Sequence, residues 1–330
     1  AVTTGMSIAD VMNASVERGT PVDYATAITY YSDETAAEIR RVAAEMGYHR
    51  AGRLKRAQFV MGRNSGRMLD EGSFRLAVVN GVEEEARRYG LTVSYTTVEL
   101  ADSATCQREL AAIMSDPTAG IILLGTEMTE SDYDLFAHCP VPLVLVDGQS
   151  DNHFIESILF SNEGSTYRAV RSLVRRGHRQ IGYLAGKLRI RNFPLRERGY
   201  ERALAEVGVQ PQAKFRVSLG TDKMENAYRD MLEMPTAFFA ENDALAVGAM
   251  KALAECGFDI PGDVSIVGFD DVEFAGVAHP ALTTVHVPRT DLGRIAVRKL
   301  IEQVEQPTEY TCVTHLSTRF VERESVRSLL

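Results

Sequence analysis

Three apolar runs in this 330-residue sequence stop at side chains that can hold a hydroxyl group. "PLVLVD" (142–147) ends in Asp147, "TAFFA" (236–240) runs into Glu241, Asn242 and Asp243, and "VSIVGF" (264–269) runs into Asp270 and Asp271. A fourth stretch, "RNFPLRERGYERAL", sets arginines, Arg196 among them, against the start of a helical pattern. Carboxylates accept hydrogen bonds from hydroxyls, a guanidinium donates a planar fork, and an amide does both. Phe74 and Phe160 offer apolar faces on which a ring can stack. Taken singly, each acid is equally a loop residue or a helix cap. Together they favour a binding site, because open α/β sheets take ligands just beyond the carboxyl ends of their strands.

The patterns of catalysis are absent. The sequence holds no GxSxG elbow, no HExxH, no GxxxxGK[ST] loop and no GxGxxG after a strand. "GRNSG" (62–66) follows a strand pattern but lacks the lysine and the spacing of a phosphate loop. His178, in "RRGHRQIGYL", sits at a helix-to-strand junction, where a structural role is expected. No spacing marks a catalytic pair of acids. The expectation is a binding protein and not an enzyme, with no cofactor. Cys106, Cys139, Cys256 and Cys312 lie far apart, with no CxxC pair and no Cys/His cluster. They read as free thiols of a reducing compartment, not as zinc ligands.

The elements that would position these residues alternate in type. Strand patterns fall at 57–61, 91–98, 120–125, 142–147, 157–161, 180–186, 236–240 and 264–269. Between them "FRLAVVNGVEEEARRYG", "QRELAAIMSD", "TYRAVRSLVRRGH", "ERGYERALAEVG" and "DALAVGAMKALAECG" carry apolar residues at three- and four-residue spacing. Such alternation means parallel sheets covered by helices on both faces, and this many units suggests two sheets. Residues 1–56 differ, with helical patterns and no β-rich run. They carry seven basic and seven acidic side chains, so the rest of the chain holds the whole net charge of −9. An acidic body does not favour nucleic acid. The exception is "HRAGRLKR" (49–56), where Arg50, Arg53, Lys55 and Arg56 meet no acid. No apolar run reaches the ~18 residues of a membrane span. "AVTTGMSIAD" lacks the basic start and apolar stretch of a secretory signal, so a cytoplasmic location is expected.

The block "TAFFAENDALAVGAMKALAECGFDIPGDVSIVGFDDVEFAGVAHPALTTVHVP" resembles the effector domain of the lac-repressor/galactose-repressor family of bacterial transcription regulators. So do "SLVRRGHRQIGYLAG" and "LRERGYERAL", and more loosely "GSFRLAVVNGVEEEARRYG" and "GIILLG…VPLVLVDG". The resemblance covers about residues 57 to 325 in order. It implies a two-lobed α/β domain like that of periplasmic sugar-binding proteins. Lobe 1 would span about 57–161 and 285–314, and lobe 2 about 162–284 and 315–330. It further implies a cleft in which Arg196, Asn242, Asp270, Asp147, Phe160 and Phe74 contact an effector of sugar or glycoside type. Asp243 and Asp271 would be structural neighbours.

Residues 1–56 are similar to the family's helix-turn-helix through "SIADV" (7–11), "SDET" (32–35) and "EMGY" (45–48). By that resemblance Tyr24, Thr26 and Thr29 would face the major groove of operator DNA, and the chain would act as a homodimeric repressor. "VDYATAIT" (22–29) departs from the family pattern at Asp23 and Thr29, and the usual hinge-helix segment is missing. A sugar sensor, or a transporter's solute-binding protein of the same fold, is the alternative without DNA binding.

Overall fold

The computed structural model describes residues 54–63, 71–100, 103–212, 216–219, 234–308 and 310–330. The helix-turn-helix expected in residues 1–56 lies outside them, apart from its last three residues. Eight strands form where the apolar runs predict them: β1 (Arg56–Arg63), β2 (Thr92–Glu99), β3 (Ala119–Leu124), β4 (Leu143–Val146) and β5 (Glu156–Phe160), then β6 (Ile181–Gly186), β8 (Ala237–Ala240) and β9 (Ser265–Val267). Four short ones were not legible: β7 (Arg216–Leu219), β10 (Thr284–His286), β11 (Val313–Leu316) and β12 (Arg319–Val321). The helices are α1 (Glu71–Arg88), α2 (Ser103–Met114), α3 (Asn162–Arg175), α4 (Asn192–Ala205), α5 (Asp243–Glu255), the short α6 (Glu273–Val277) and α7 (Arg289–Glu305).

The strands build two parallel sheets. One has the order β11-β5-β4-β3-β1-β2 and the other β7-β6-β8-β9, with an antiparallel pair, β10 and β12, beside them. Every residue of β3, β4, β5, β6 and β8 is buried, as expected of strands covered on both faces. The chain leaves the first sheet after β5, builds the second lobe, and returns through α7 to place β11 beside β5.

Helix α7 was missed from sequence, although Leu292, Ala296, Val297 and Leu300 repeat at helical spacing and are buried. It packs on α1 at a crossing of two glycines. A Cβ on Gly81 would fall 1.9 Å from the Thr290 carbonyl oxygen, and one on Gly293 would fall 2.1 Å from that of Val78. Both obstacles are backbone, so the helices must separate to admit a side chain. Gly293→Val is therefore expected to destabilise the first lobe by about 1–3 kcal/mol or more, as overpacking does. A urea denaturation curve with an unshifted midpoint would contradict this.

Buried polar groups hold the second lobe to the C-terminal segment. His178 bridges Thr236 Oγ1 at 3.0 Å and the Arg327 carbonyl oxygen at 3.1 Å, the structural role expected of it. Burial lowers its pKa, so the neutral ring is favoured. None of the four cysteines is in a disulfide. Among the described residues no helix is long and apolar enough to cross a membrane.

Candidate functional site

The carboxyl ends of both parallel sheets face one cleft of about 820 Å³, its open mouth included. Arg196, Asn242, Asp270, Asp147, Phe160 and Phe74 all line it. The first lobe supplies Asp147 from the end of β4, Phe160 from the end of β5 and Phe74 from α1. The second supplies Arg196 from α4, Asn242 between β8 and α5, and Asp270 just after β9. In a parallel sheet every strand ends on the same side, so residues distant in sequence converge there.

Arg196 is the centre of this set and is almost fully buried. Its Nε donates to Asn162 Oδ1 at 2.9 Å, one terminal nitrogen donates to the Glu241 carbonyl oxygen, and the other to Asp270 Oδ1 at 3.3 Å. The guanidinium carbon lies 3.8 Å from the centroid of Phe269, a cation–π geometry. The chain of contacts then crosses the cleft. Asn162 Nδ2 donates to Asn192 Oδ1 at 3.0 Å, and Asn192 Nδ2 donates to Asp147 Oδ1 at 2.9 Å. Thr126 donates to the other Asp147 oxygen at 2.7 Å. Burial pushes the Asp147 carboxyl above its ordinary pKa, opposed by the hydrogen bonds from Thr126 and Asn192.

The apolar wall is aromatic. Phe74 and Phe160 lie 6.4 Å apart by ring centroids, and Phe160 lies 6.1 Å from Phe269. Phe74 and Phe160 line the cleft and Phe269 is fully buried, so a sugar ring could rest on the first two while its hydroxyls meet the polar chain.

Backbone conformation marks the same places. Asp147, Asp270 and Asp271 have φ of 55°, 110° and 57°, a region that residues with a Cβ avoid. Each follows directly on the end of a buried run, and such strain tends to collect at functional sites.

The neighbours of the cleft acids have structural partners. Asn242 lines the cleft, yet its Oδ1 also caps α5 by accepting from Leu245 N at 2.9 Å. Asp271 accepts from Arg323 at 2.7 Å and lies 2.9 Å from His286 Nδ1. Burial raises its pKa, but these two partners outweigh that and hold the carboxyl below its ordinary range. Asp243 is buried behind Gly268, accepting from Thr284 and from Val272 N. Sequence reasoning missed Asn192, Asn162, Thr126 and Phe269, which complete the network. Asn192 lay within the arginine-rich stretch, but nothing in its spacing said that it would reach the other lobe.

Of the residues expected at DNA, Tyr24, Thr26, Thr29, Arg50 and Arg53 lie outside the described residues. Lys55 and Arg56 are exposed at the start of β1, where Arg56 is 3.4 Å from Asp116. So exposed a pair is weak and readily exchanged for another partner.

Two lobes, two parallel sheets and a shared polar and aromatic cleft define a periplasmic-binding-protein-like ligand-binding domain. The Periplasmic binding protein-like domain family matches residues 170–326. The chain is 30% identical to the ribose operon repressor of Escherichia coli (strain K12) over 264 residues, 76% of this chain and 78% of that protein. It is 29% identical to the transcriptional repressor PurR of Pasteurella multocida over 267 residues, 79% of each chain. Its fold matches the lac repressor dimer bound to operator and the anti-inducer ONPF, with a TM-score of 0.72 and 25% identity, over 91% of this chain and 100% of that one. A transcriptional regulator CelR–cellobiose complex matches with a TM-score of 0.72 and 23% identity, over 94% of both chains. The chain belongs to the lac-repressor/galactose-repressor family of transcription regulators.

Proposed function

We propose that this protein is a ligand-responsive repressor that binds operator DNA as a homodimer through residues 1–56 and takes a sugar-like effector in the cleft. The observation that carries the effector half is the meeting of Arg196, Asn242, Asp270, Asp147, Phe160 and Phe74 in one cleft. The DNA half rests on the family, whose relatives include named repressors, and on the motifs of residues 1–56. Exposed apolar side chains on both lobes, Leu76 of α1 and Val277 of α6, suit a dimer that packs through both. A DNA-binding repressor works in the cytoplasm and needs no catalytic step. A bound sugar is accordingly expected to be recovered unchanged after prolonged incubation.

Selection of bound DNA from a random pool, with and without a sugar panel, tests the whole reading. A two-fold symmetric sequence should emerge, and at least one sugar should change its affinity. Failure to bind any DNA at low salt would leave the sensor reading in its place.

Salt dependence separates the roles of the N-terminal residues. Phosphate contacts release counterions and set the salt slope, whereas base contacts set the sequence. Alanine at Arg50, Arg53, Lys55 and Arg56 should weaken binding to operator and random DNA alike and flatten the slope. The segment with Tyr24, Thr26 and Thr29 holds no arginine for bidentate reading of guanine, so thymine methyls are the expected targets. An unchanged salt slope in the four-alanine protein would remove those residues from the phosphate contacts.

A further inference from the structure

Two acids of the cleft, Asp147 and Asp270, already hold donors, whereas one of its cations meets no acid among the described side chains. Both oxygens of Asp147 accept from Thr126 and Asn192, and Asp270 accepts from Arg196. Arg75, on α1 beside Phe74, also lines the cleft. Its contact among the described residues is the thioether sulfur of Met61, at 3.9 Å, a weak acceptor. Among the side chains that the structure describes, no carboxylate forms an ion pair with its guanidinium. Met61 belongs to β1, and Arg63, two residues along the same strand and so on the same face, lines the cleft too. Arg63 lies 3.4 Å from Glu99, an exposed pair that contributes little. Two guanidiniums thus flank the β1 end of a cleft whose Glu127 stands on the loop after β3.

From this juxtaposition we infer that the effector carries an anionic group, a carboxylate or a phosphate ester, which Arg75 grips with help from Arg63. The inference rests on the effector reading above and deepens it. The hydroxylated ring occupies the side of Arg196, Asp147 and Asn192, and the anion sits at the β1 end beside Phe74. A guanidinium whose contact among the described residues is a sulfur gives up little when an oxyanion arrives. Its fork matches both carboxylate and phosphate oxygens, and a charged acceptor strengthens each bond.

Calorimetric titration of the full chain with matched ligands tests this. The probes are ribose and ribose 5-phosphate; glucose, glucose 6-phosphate and glucuronate; and cellobiose and cellobionate. In at least one set the anionic member should bind ten-fold or more tightly than the neutral one at low salt, and the carboxylate and phosphate arms identify which anion is used. Arg75→Ala should bring that member down to the affinity of its neutral counterpart. Arg75→Lys should restore part of the preference, and Arg63→Ala should reduce it less than Arg75→Ala does. Circular dichroism of each variant reports that it is folded. A neutral sugar bound as tightly as its anionic counterparts, or a preference that survives Arg75→Ala, overturns the inference and leaves the sugar-effector reading standing. Binding of no probe, neutral or anionic, overturns both.

Discussion

Replacing Arg196 by alanine is expected to cost about 3–5 kcal/mol of stability, the range for breaking a buried ion pair by removing one partner. The loss would come less from the missing attraction than from what stays behind. Asp270, Asn162 Oδ1 and the Glu241 carbonyl oxygen would all lose a donor in a buried place. The aromatic rings of Phe269, Phe160 and Phe193 would face a cavity where the guanidinium now packs, 3.8 to 5.9 Å from their centroids. Effector affinity should fall in parallel, because Asp270 and the Asn162–Asn192 link to Asp147 are oriented by the same side chain. Arg196→Lys should recover part of the stability through a charge near Asp270, but little of the affinity, since an ammonium cannot serve three acceptors in one plane. Urea denaturation of the three proteins checks the first point and titration with the tightest ligand the second. A stability change below ~1 kcal/mol for the alanine variant would show that the network is loosely made.

Stability should also fall as pH rises from about 4 to 8, through Asp243. Burial raises its carboxyl from 3.8 to about 8, and the nearby charge of Asp270 adds to the shift. In the fold the acid therefore stays neutral up to about pH 8, whereas in the unfolded chain it ionises near its ordinary value. A group whose folded pKa is raised contributes fully below the unfolded pKa. That contribution is lost as pH rises toward the folded one. Each pKa unit corresponds to about 1.4 kcal/mol, so the loss is on the order of several kcal/mol. Above about pH 8 no further loss is expected from this residue. Other buried acids titrate too, and comparison with Asp243→Asn isolates this one. The amide keeps the shape but does not ionise, so the difference in stability between the two proteins should vary with pH across that window. A constant difference between pH 4 and 8 would mean that Asp243 does not change its charge in this range.

Much of the cleft lining was legible because several apolar runs stop at polar residues, and an open α/β sheet gathers such strand ends along one edge. Asp147, Asn242 and Asp270 each terminate such a run, and a parallel sheet turns that one-dimensional pattern into a shared edge. Most of the eight strands foreseen were readable for the related reason that a strand buried on both faces must be apolar throughout, β2 with its exposed positions being the exception. The short strands β10, β11 and β12 carry no such run: β11 alternates exposed and half-buried residues at a sheet edge. Their strand character comes from the partners they meet, β5 for β11 and one another for β10 and β12.

The sequence by itself determined the parallel α/β architecture, since run length and helical spacing are local properties, and its motifs carried the resemblance to the family. Tertiary structure decided which residues share the cleft. Asn192 and Asp147 are 45 positions apart, yet one hydrogen bond joins them across the lobes. Arg196 could be read as a ligand group, but only packing shows it sunk among aromatic rings and spending its donors on Asn162, Glu241 and Asp270. Arg75 drew no notice in the sequence, where arginines are common. It acquires significance from being held beside a sulfur at the rim of a cleft in which Asp147 and Asp270 are engaged by other donors. Hydrogen bonds and ion pairs depend on separations of a few ångströms, and these are fixed by how lobes and helices pack, which no local spacing encodes.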